Sequence, residues 1–343
     1  DTFDRNFEFS VEHVALAKQA DVVMIAPASA NVIGKIAHGI ADDMLTTTVM
    51  ACRCKKILAP AMNTNMYENP ILQDNLDICR RYGMEVITPA WGYLACGDTG
   101  AGKMPEPEVL YEYILREAGY PGDLAGRRIL VTAGPTRESI DPVRYITNHS
   151  TGKMGYAIAR VAAYRGADVT LVSGPVDLPR PLFVETVLVE SAREMFEAVT
   201  ARSGEQDIIV KAAAVADYRP ATVGTEKIKK SDGDLSIALE RTNDILAWLG
   251  QNRRDGQFLC GFSMETQNML ENSRAKLAKK HIDMIVANNL KVEGAGFGTD
   301  TNVVTLITRD SETELPIMTK EEVADCLLTE ILKRTKEQDG IQG

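Results

Sequence analysis

Residues 21–27 read DVVMIAP, an uninterrupted apolar run that follows one acidic residue. Such runs are typical of parallel strands that are buried on both faces of a sheet. Residues 10–20, SVEHVALAKQA, come just before it with the spacing of a helix that Ser10 caps. A helix that leads into a buried parallel strand predicts an α/β fold. Because a central strand needs a neighbour on each side, we expect a further strand and helix before Asp1 in the natural protein.

The same alternation continues along the chain and divides it into two units. Further strands are predicted at 56–62, 84–90, 128–135, 168–175, 207–217, 235–239, 258–262, 284–287 and 303–308, and further helices within 28–43 and near 70–82, 108–118, 152–165, 191–202 and 268–281. Alternating strands and helices are typical of doubly wound architecture. We therefore predict two Rossmann-like α/β units with mostly parallel sheets, residues 1–119 and 128–343, joined by a linker at 120–127.

The composition and charge indicate a protein that acts on small molecules. Its 343 residues are 45% hydrophobic, and no apolar run approaches the roughly 20 residues of a membrane span. The 38 Lys and Arg residues against 48 Asp and Glu give a net charge of −10, which argues against a broad nucleic-acid surface. The six cysteines form no CxxC pair, so we expect reduced thiols and a cytoplasmic location. No membrane or nucleic-acid partner is predicted.

Three polar or reactive side chains are notable in the first unit. His13 lies in the first helix, Asn63 follows a predicted strand, and Cys96 lies in a Gly- and Pro-rich segment. Ligands bind beyond the carboxyl ends of strands in open α/β sheets, which is where loops 27–31 and 60–63 fall. Each residue also has a structural alternative: a packed or surface histidine, an asparagine that caps a turn, and a buried cysteine.

Three segments of the first unit resemble the flavin-dependent cysteine decarboxylases, and specifically the phosphopantothenoylcysteine decarboxylases. They are HVALAKQADVVMIAPASAN (13–31), APAMNTNMY (59–67) and ACGDTGAGKMPEP (95–107), in this order. The resemblance implies a flavodoxin-like fold and FMN as cofactor. Oxidation of the substrate thiol by flavin supplies the electron sink that loss of CO2 requires.

The resemblance also implies roles for individual residues. His13 assists substrate oxidation, and Cys96 is the acid that protonates the intermediate. Asn63 and Met66 bind the substrate carboxylate. Contacts with FMN are implied for Pro27, Ser29 and Asn31. Because the family holds the flavin phosphate on a strand and Gly-rich turn that come earlier, we expect the full-length protein to bind FMN and release CO2, and the present chain to bind FMN weakly or not at all.

The second unit contains a long polar connection between a strand and a helix. Residues 133–155 read AGPTRESIDPVRYITNHSTGKMG and end at a helix start near Gly152. Helix N-termini surrounded by glycines suit an anion such as phosphate. The connection matches neither a GxGxxG turn nor a Walker loop, so by itself it leaves an ordinary dinucleotide site open.

Two lysine pairs indicate where further negative charge binds. Lys227 and Lys229 fall on one side of their segment if it is extended. Lys276 and Lys280, four residues apart, fall on one face of a helix. Together with Asp217 at the end of an apolar strand, the pairs indicate a polyphosphate pocket. The alternative is that both pairs are ordinary solvated lysines.

Four segments of the second unit resemble the phosphopantothenate–cysteine ligases: 133–155 above, AAAVADYRP (212–220), EKIKK (226–230) and GFSMETQ (261–267). A decarboxylase unit followed by a ligase unit is the order of the bacterial bifunctional proteins of coenzyme A biosynthesis. The resemblance implies that CTP and Mg²⁺ activate 4′-phosphopantothenate as an acyl-cytidylate, from which cysteine displaces CMP.

The ligase resemblance assigns residues as well. Lys227 is implied in formation of the acyl-cytidylate and Asn148 in its turnover. The implied nucleotide-binding residues are Lys211, Ala212, Ala213, Asp217, Lys227, Asn243, Asp244, Ile245, Leu246, Phe262, Lys276 and Lys280. Position 243 is Asn where many relatives have Pro. The sequence does not identify the metal ligands.

The predicted protein is thus a bifunctional enzyme that ligates cysteine to 4′-phosphopantothenate and decarboxylates the product to 4′-phosphopantetheine. The resemblance implies ligase dimers and decarboxylase trimers, hence a homo-oligomer. One alternative is a ligase with an inactive decarboxylase remnant. An NAD-dependent oxidoreductase is disfavoured because no GxGxxG turn with a ribose-binding acid follows a strand. A scaffold protein is disfavoured because His13, Asn63 and Cys96 are retained together.

Overall fold

The computed structural model describes residues 12–93, 97, 99–229, 235–264, 269–288, 298–338 and 340. It divides the chain into a first unit that ends at Pro121 and a second unit that begins at Gly122. Within the described residues, no helix is long and apolar enough to cross a membrane.

The first unit contains a three-stranded parallel sheet in the order β1-β2-β3 and an antiparallel hairpin, β4-β5. Its elements are α1 (Glu12–Gln19), β1 (Val22–Ala28), α2 (Ala30–Ala37), α3 (Met44–Ala51), β2 (Lys55–Pro60), α4 (Thr64–Tyr67), α5 (Pro70–Arg81), β3 (Glu85–Val86), β4 (Ala90–Tyr93), β5 (Thr99–Lys103) and α6 (Pro107–Ile114). Ile57, Leu58 and Ala59 of the central strand are fully buried. Among the described residues β1 pairs with β2 alone, so the strand predicted to be central lies at the edge of the described sheet.

The second unit is larger. Its elements are β6 (Arg128–Ala133), β7 (Arg137–Ser139), β8 (Tyr145–Thr147), α7 (Lys153–Tyr164), β9 (Asp168–Ser173), β10 (Val184–Leu188), α8 (Ala192–Ser203), β11 (Ile208–Lys211), β12 (Tyr218–Pro220), β13 (Leu239–Arg241), α9 (Ile245–Asn252), β14 (Phe258–Met264), α10 (Met269–Lys280), β15 (Met284–Asn288), β16 (Thr301–Asn302), β17 (Val304–Ile307), β18 (Glu312–Glu314), β19 (Met318–Thr319) and α11 (Lys320–Gln338). Eight strands form one sheet in the order β10-β9-β6-β11-β14-β15-β17-β18. The first six are parallel and the last two antiparallel.

The order of the six parallel strands is that of a doubly wound sheet, and it reverses direction between β6 and β11. Ligands of doubly wound sheets bind near the carboxyl ends of the strands at such a reversal, so the segments that follow β6 and β11 are where a site is expected. Helix α7 packs tightly beneath this point. A Cβ added at Gly155 of α7 would lie 2.6 Å from the Ala133 Cβ at the end of β6, so only glycine permits this approach.

Several predicted elements differ from the observed ones. The predicted strand 235–239 is wrong: regular structure begins at Leu239, in a short exposed strand that pairs with β12 and does not join the main sheet. The predicted helix 108–118 ends at Ile114 and continues as a π-helical turn, Leu115–Gly119. Among the elements that were not predicted from the sequence are α3, β10 and α11. Helix α3 contains three consecutive threonines, which are weak helix formers, so its sequence gives little helical signal.

Candidate active sites

The loops after β6 and β11 are tied together at the point where the sheet reverses. Thr132 and Thr136 are fully buried, and their hydroxyl oxygens accept hydrogen bonds from the backbone N–H groups of Ala213 (3.1 Å) and Ala216 (3.0 Å). The Ala214 N–H donates to the Gly134 carbonyl over 2.9 Å. These bonds make the segment after β11 a fixed platform between two cavities.

The first cavity, called here the lysine cavity, has a volume of about 350 Å³ and lies beyond the carboxyl ends of β11 and β14. It is lined by Lys211, Val215, Asp217, Tyr218, Arg241, Thr242, Asn243, Asp244, Ile245, Leu246, Phe262, Lys276 and Lys280. Nine of the residues that the ligase resemblance implies for the nucleotide are among them. Residues as far apart in sequence as 211 and 280 therefore line one cleft at the carboxyl ends of the strands.

Three implied nucleotide residues lie outside this lining. Ala212 directly follows β11. Ala213 is buried in the core, with its N–H bonded to Thr132. Lys227 is exposed on a segment without regular structure.

Burial lowers the pKa values of two lysines in the lysine cavity. Burial, together with the nearby Lys276 ammonium, lowers the pKa of Lys211 to about 8, while Asp217 opposes the shift. The Lys211 Nζ donates to the Ala213 carbonyl over 3.0 Å. Burial also lowers the pKa of Lys280, which forms an ion pair with Asp244. An anion bound in the cavity would stabilise the charged forms of Lys211 and Lys280, because it would offset the loss of hydration that burial causes.

Tyr218 and Arg241 form one wall of the lysine cavity. Neither residue was predicted from the sequence to belong to the site. They are directly opposite each other in the antiparallel pair β12-β13. The next pair along the ladder, Arg219 and Glu240, forms an ion pair of 2.7 Å, and neighbouring pairs project to opposite faces. The basic residue two positions before Asn243 was the available signal, but its position in the cavity depends on a strand pairing that the sequence did not indicate.

The second cavity, called here the asparagine cavity, has a volume of about 430 Å³ and lies beyond the ends of β6 and β9. Its lining is Pro135, Arg137, Tyr145, Thr147, Asn148, His149, Ser150, Thr151, Lys153, Pro175, Val176, Asp177 and Leu178. The Asn148 side-chain amide donates to the carbonyls of Ala214 (3.2 Å) and Val215 (3.1 Å) on the platform. Because Val215 also lines the lysine cavity, Asn148 marks the place where the two cavities approach each other.

Positive charge and a helix N-terminus face the asparagine cavity. Helix α7 begins at Lys153, after Gly152 in a left-handed conformation with φ 76°. Lys153 forms an ion pair of 2.7 Å with Asp300, and the Arg137 guanidinium stacks over the Tyr145 ring at 4.8 Å. An anionic group would find backbone N–H donors and two cationic side chains here.

The segment that carries Lys227 is held by a buried carboxylate. The Asp141 side chain has no exposed surface, and one of its oxygens accepts a hydrogen bond of 3.1 Å from the Ile228 N–H. Arg144 pairs with the same carboxylate and donates to the Ile228 carbonyl over 2.8 Å. Arg144, followed by the backbone N–H donors, holds the pKa of Asp141 well below its usual range. Asp141 is thus a buried carboxylate that accepts hydrogen bonds from the Arg144 side chain and from three backbone N–H groups.

The residues implied for the decarboxylase lie on separate segments of the first unit. His13 is partly buried on α1, and Met66 is exposed in α4. The Asn63 side chain caps α4 by accepting a hydrogen bond of 2.9 Å from the Asn65 N–H, the structural role that the sequence left open for it. Pro27, Ser29 and Asn31 are exposed near the carboxyl end of β1, with Ser29 as the N-cap of α2. Cys96 lies outside the described residues.

The hairpin on either side of Cys96 in sequence is held against the Asn63 loop. The Met62 N–H donates to the Gly102 carbonyl over 3.0 Å. Gly102 has φ 134°, and a Cβ there would overlap the Met62 carbonyl oxygen. A Cβ added at Gly100 would likewise overlap the hydroxyl oxygen of Thr64. The absence of side chains at both glycines allows the hairpin to lie on the loop that carries Asn63.

The fold and these sites define a class of two-unit α/β enzymes, in which a small parallel unit precedes a doubly wound unit with a cationic cleft beyond the carboxyl ends of its strands. Two family models match the chain: "Flavoprotein" over residues 1–119 and "DNA/pantothenate metabolism flavoprotein C-terminal domain" over residues 124–335. Both resemblances noted in the sequence are thereby confirmed.

The chain belongs to the family of bifunctional coenzyme A biosynthesis proteins. It is 47% identical to the coenzyme A biosynthesis bifunctional protein CoaBC of Bacillus subtilis (strain 168), over 98% of this chain and 84% of the relative. Identity to the CoaBC protein of Escherichia coli (strain K12) is 43%, over 97% of this chain and 82% of the relative. The crystal structure of a CoaBC C-terminal domain covers 63% of this chain and 99% of that domain, with 48% identity and a TM-score of 0.55. The predicted α/β fold and enzyme class are confirmed.

Proposed function

We propose that the chain catalyses two successive reactions of coenzyme A biosynthesis. The second unit ligates cysteine to 4′-phosphopantothenate with CTP, and the first unit decarboxylates the resulting 4′-phosphopantothenoylcysteine to 4′-phosphopantetheine with FMN. The observation that carries the proposal is the hydrogen bond from Asn148, which lines the asparagine cavity, to the carbonyl of Val215, which lines the lysine cavity. A nucleotide in one cavity and an acid in the other would bring their reacting groups together at that point.

The ligase half must convert an inert carboxylate into a good acyl donor. In our proposal a carboxylate oxygen of 4′-phosphopantothenate bonds to the α-phosphorus of CTP, and pyrophosphate leaves. The cysteine amine then bonds to the activated carbonyl carbon, and CMP leaves. The first step brings two anions together, so it needs cations close to the phosphorus oxygens.

The residues of the second unit can supply that compensation. Lys211, Lys276 and Lys280 line the cavity that would hold the triphosphate. Lys227 would neutralise charge that develops on the phosphorus oxygens. The neutral amide of Asn148 would exchange a hydrogen bond to the Ala214 or Val215 carbonyl for one to the acyl-phosphate oxygen, without introducing a competing nucleophile. The phosphate of the pantothenate substrate would bind at the N-terminus of α7 with Arg137 and Lys153.

The lysine cavity also suits the divalent cation that accompanies CTP. The Asp217 carboxylate lines the cavity, and carboxylate oxygens are ligands that Mg²⁺ prefers. Asp217 would therefore hold Mg²⁺ jointly with the triphosphate. When bound, the cation would neutralise phosphate charge during acyl-cytidylate formation.

In the first unit the exposed residues Pro27, Ser29 and Asn31 would contact FMN, since they lie at or just past the carboxyl end of a parallel strand. FMN, when bound, would accept electrons from the substrate thiol and later return them. His13 would assist that oxidation, and Asn63 and Met66 would hold the substrate carboxylate. Cys96 would donate the final proton.

The proposal extends to assembly and location. We propose a homo-oligomer with dimer contacts in the ligase unit and trimer contacts in the decarboxylase unit. We also propose a cytoplasmic location. Every cysteine that the structure describes is a free thiol, which supports a reducing compartment.

A coupled assay tests both reactions. The chain is supplied with Mg²⁺, CTP, 4′-phosphopantothenate and cysteine, and CMP, pyrophosphate and CO2 are measured with and without FMN. The proposal predicts CMP and a new amide, followed by CO2 when FMN is bound. Ligation without CO2 from the FMN-loaded chain would favour the ligase-only alternative, and no CMP would contradict the ligase assignment. CTP, and not NAD, is expected to raise the thermal midpoint.

A further inference from the structure

Asp141 connects the two segments that carry Lys227 and Asn148. We propose that Asp141 is a positioning residue, which sets the Lys227 ammonium against the Asn148 end of the site for acyl-cytidylate formation. The inference rests on the role proposed above for Lys227. It concerns a buried carboxylate that lines neither cavity.

The Asp141 carboxylate is bound on both oxygens. One oxygen accepts hydrogen bonds from the Val143 N–H (2.8 Å) and the Arg144 N–H (2.9 Å). The other accepts from the Arg144 Nε (3.0 Å) and from the Ile228 N–H (3.1 Å). Residues 141 and 228 are 87 positions apart, so the last bond joins two distant parts of the chain.

Arg144 completes the attachment at Ile228. Its Nη2 donates to the Ile228 carbonyl over 2.8 Å, so Asp141 and Arg144 together hold both backbone polar groups of that residue. A second backbone bond, from the Gly224 N–H to the Ile140 carbonyl (2.9 Å), fixes the segment four residues earlier. Lys227 directly precedes Ile228 and is exposed, so its backbone is held while its side chain is free to reach a ligand.

The same turn leads directly to Asn148. Residues 140–144 form the turn of the hairpin β7-β8, closed by a bond of 2.8 Å from the Ile140 N–H to the Arg144 carbonyl. Strand β8 ends at Thr147, whose hydroxyl donates to the Thr136 carbonyl over 2.7 Å. Asn148 follows and is bonded to the platform. Hydrogen bonds at Ile228, together with the backbone of the β7-β8 hairpin, therefore connect the segment that carries Lys227 to Asn148.

The chemistry of this attachment requires a carboxylate. An asparagine at position 141 would replace one acceptor oxygen with an amide donor. That donor would face either the N–H groups of Val143 and Arg144 or the Ile228 N–H. In either orientation at least one of these N–H groups loses its acceptor, and the Arg144 guanidinium loses its counter-charge. We expect the Lys227 segment to separate from the turn while the lysine cavity keeps its lining.

The test compares Asp141→Asn with the wild type in the full 343-residue chain. Pyrophosphate release is measured with Mg²⁺, CTP and 4′-phosphopantothenate in the absence of cysteine, and CTP affinity is measured by calorimetry. Because misplacement of a reacting group by about 1 Å can cost about 10²-fold, we expect pyrophosphate release to fall about 10²-fold. The Kd for CTP should change far less than this rate, because neither Asp141 nor Lys227 lines the lysine cavity.

A double-mutant comparison separates positioning from general damage. If Asp141 acts through Lys227, the double variant Asp141→Asn/Lys227→Gln should release pyrophosphate no more slowly than Lys227→Gln alone. The matched control is Asp123→Asn, which removes a carboxylate from the ion pair with buried Arg165. It should lower the thermal midpoint and leave pyrophosphate release unchanged. Ile228→Pro is the second variant: it removes the N–H that donates to Asp141, in a segment outside regular structure, and it also fixes φ at 228 and restricts the backbone of Lys227.

The outcomes are distinct. A selective loss in Asp141→Asn or Ile228→Pro that disappears in the Lys227→Gln background supports the positioning role. A normal rate in folded Asp141→Asn, or losses that multiply in the double variant, would overturn this role while leaving the proposed function intact. Normal pyrophosphate release in Lys227→Gln would overturn both the Lys227 assignment and the role of Asp141.

Discussion

The two units of this chain build their sites in different ways. In the second unit the implied nucleotide residues come from strands, helices and connecting segments around one eight-stranded sheet, and nine of them line a single cleft. In the first unit those implied residues that the structure describes lie on α1, around the carboxyl end of β1 and the start of α2, and on the loop after β2 with the short helix α4. The glycines of a hairpin hold that hairpin against the last of these loops.

The difference concerns what fixes each site. A cleft beyond the carboxyl ends of neighbouring strands is placed by the order of the strands in the sheet, so we expect its lining to persist when a single side chain changes. A site on separate loops depends on local contacts such as that of Gly102 with Met62, so small steric changes there should have large effects. Within the second unit Lys227 resembles the loop-borne residues, because the Asp141 attachment and not the sheet holds it.

The largest expected effect is that of Lys227→Gln. Removal of a cation that stabilises transition-state charge costs about 10²–10³-fold, so pyrophosphate release should fall by that factor. Decarboxylation of added 4′-phosphopantothenoylcysteine by FMN-loaded protein should be unchanged. Lys229→Gln is the control in the same exposed segment and should lose far less. Equal loss in both variants would mean that the segment acts only through its overall charge.

A comparable test in the first unit is Gly102→Ala. The added Cβ would overlap the Met62 carbonyl oxygen, and φ 134° is unfavourable for alanine. We expect displacement of the hairpin and about a 10²-fold loss of decarboxylation, with ligation unchanged. Gly92→Ala is the hairpin control, because its Cβ would meet only the Lys103 side chain at 3.7 Å. Normal decarboxylation in Gly102→Ala would show that this contact does not fix the site.

A smaller effect concerns the pH dependence of CTP affinity. Bound phosphate favours the Lys211 cation and raises its pKa above the value of about 8 in the free protein. The contribution of Lys211 to CTP affinity is therefore complete below the pKa in the free protein, and it is lost as the pH rises from there through the higher pKa in the complex. Affinity should weaken about tenfold from about pH 7 to about pH 9, and Lys211→Met should remove this dependence. An unchanged pH profile in Lys211→Met would place the titrating group elsewhere.

The smallest expected effect is on stability alone. Buried Arg165 pairs with Asp123 at 2.7 Å and with Asp325 at 3.0 Å, so Asp123→Asn removes one charged partner and leaves the other. The free energy of unfolding of the second unit should fall by about 1–2 kcal/mol in a denaturant titration. Because Arg165 lowers the pKa of Asp123, the wild-type advantage is present at neutral pH and is lost as the pH falls through that pKa. A loss of ligation at full stability would contradict a purely structural role.

The sequence predicted the parts of the fold that local pattern encodes. The apolar runs that became β6, β9 and β11 were identified because buried parallel strands are continuous in hydrophobicity. The hairpin β7-β8 was not identified, since it lies inside a polar connection. Tyr218 and Arg241 were missed because the pairing of β12 with β13 places them in the cavity. Asp141 carried no local signal, because its role depends on a contact with Ile228.

The central claim is that the second unit makes a mixed anhydride before cysteine takes part. The most direct measurement is a single-turnover experiment with the wild-type chain, Mg²⁺, CTP and 4′-phosphopantothenate, to which cysteine is added only after pyrophosphate has been counted. The account predicts about one pyrophosphate per active site before cysteine is added, with CMP appearing only afterwards. Absence of pyrophosphate until cysteine is present, or release of CMP without it, would contradict the account.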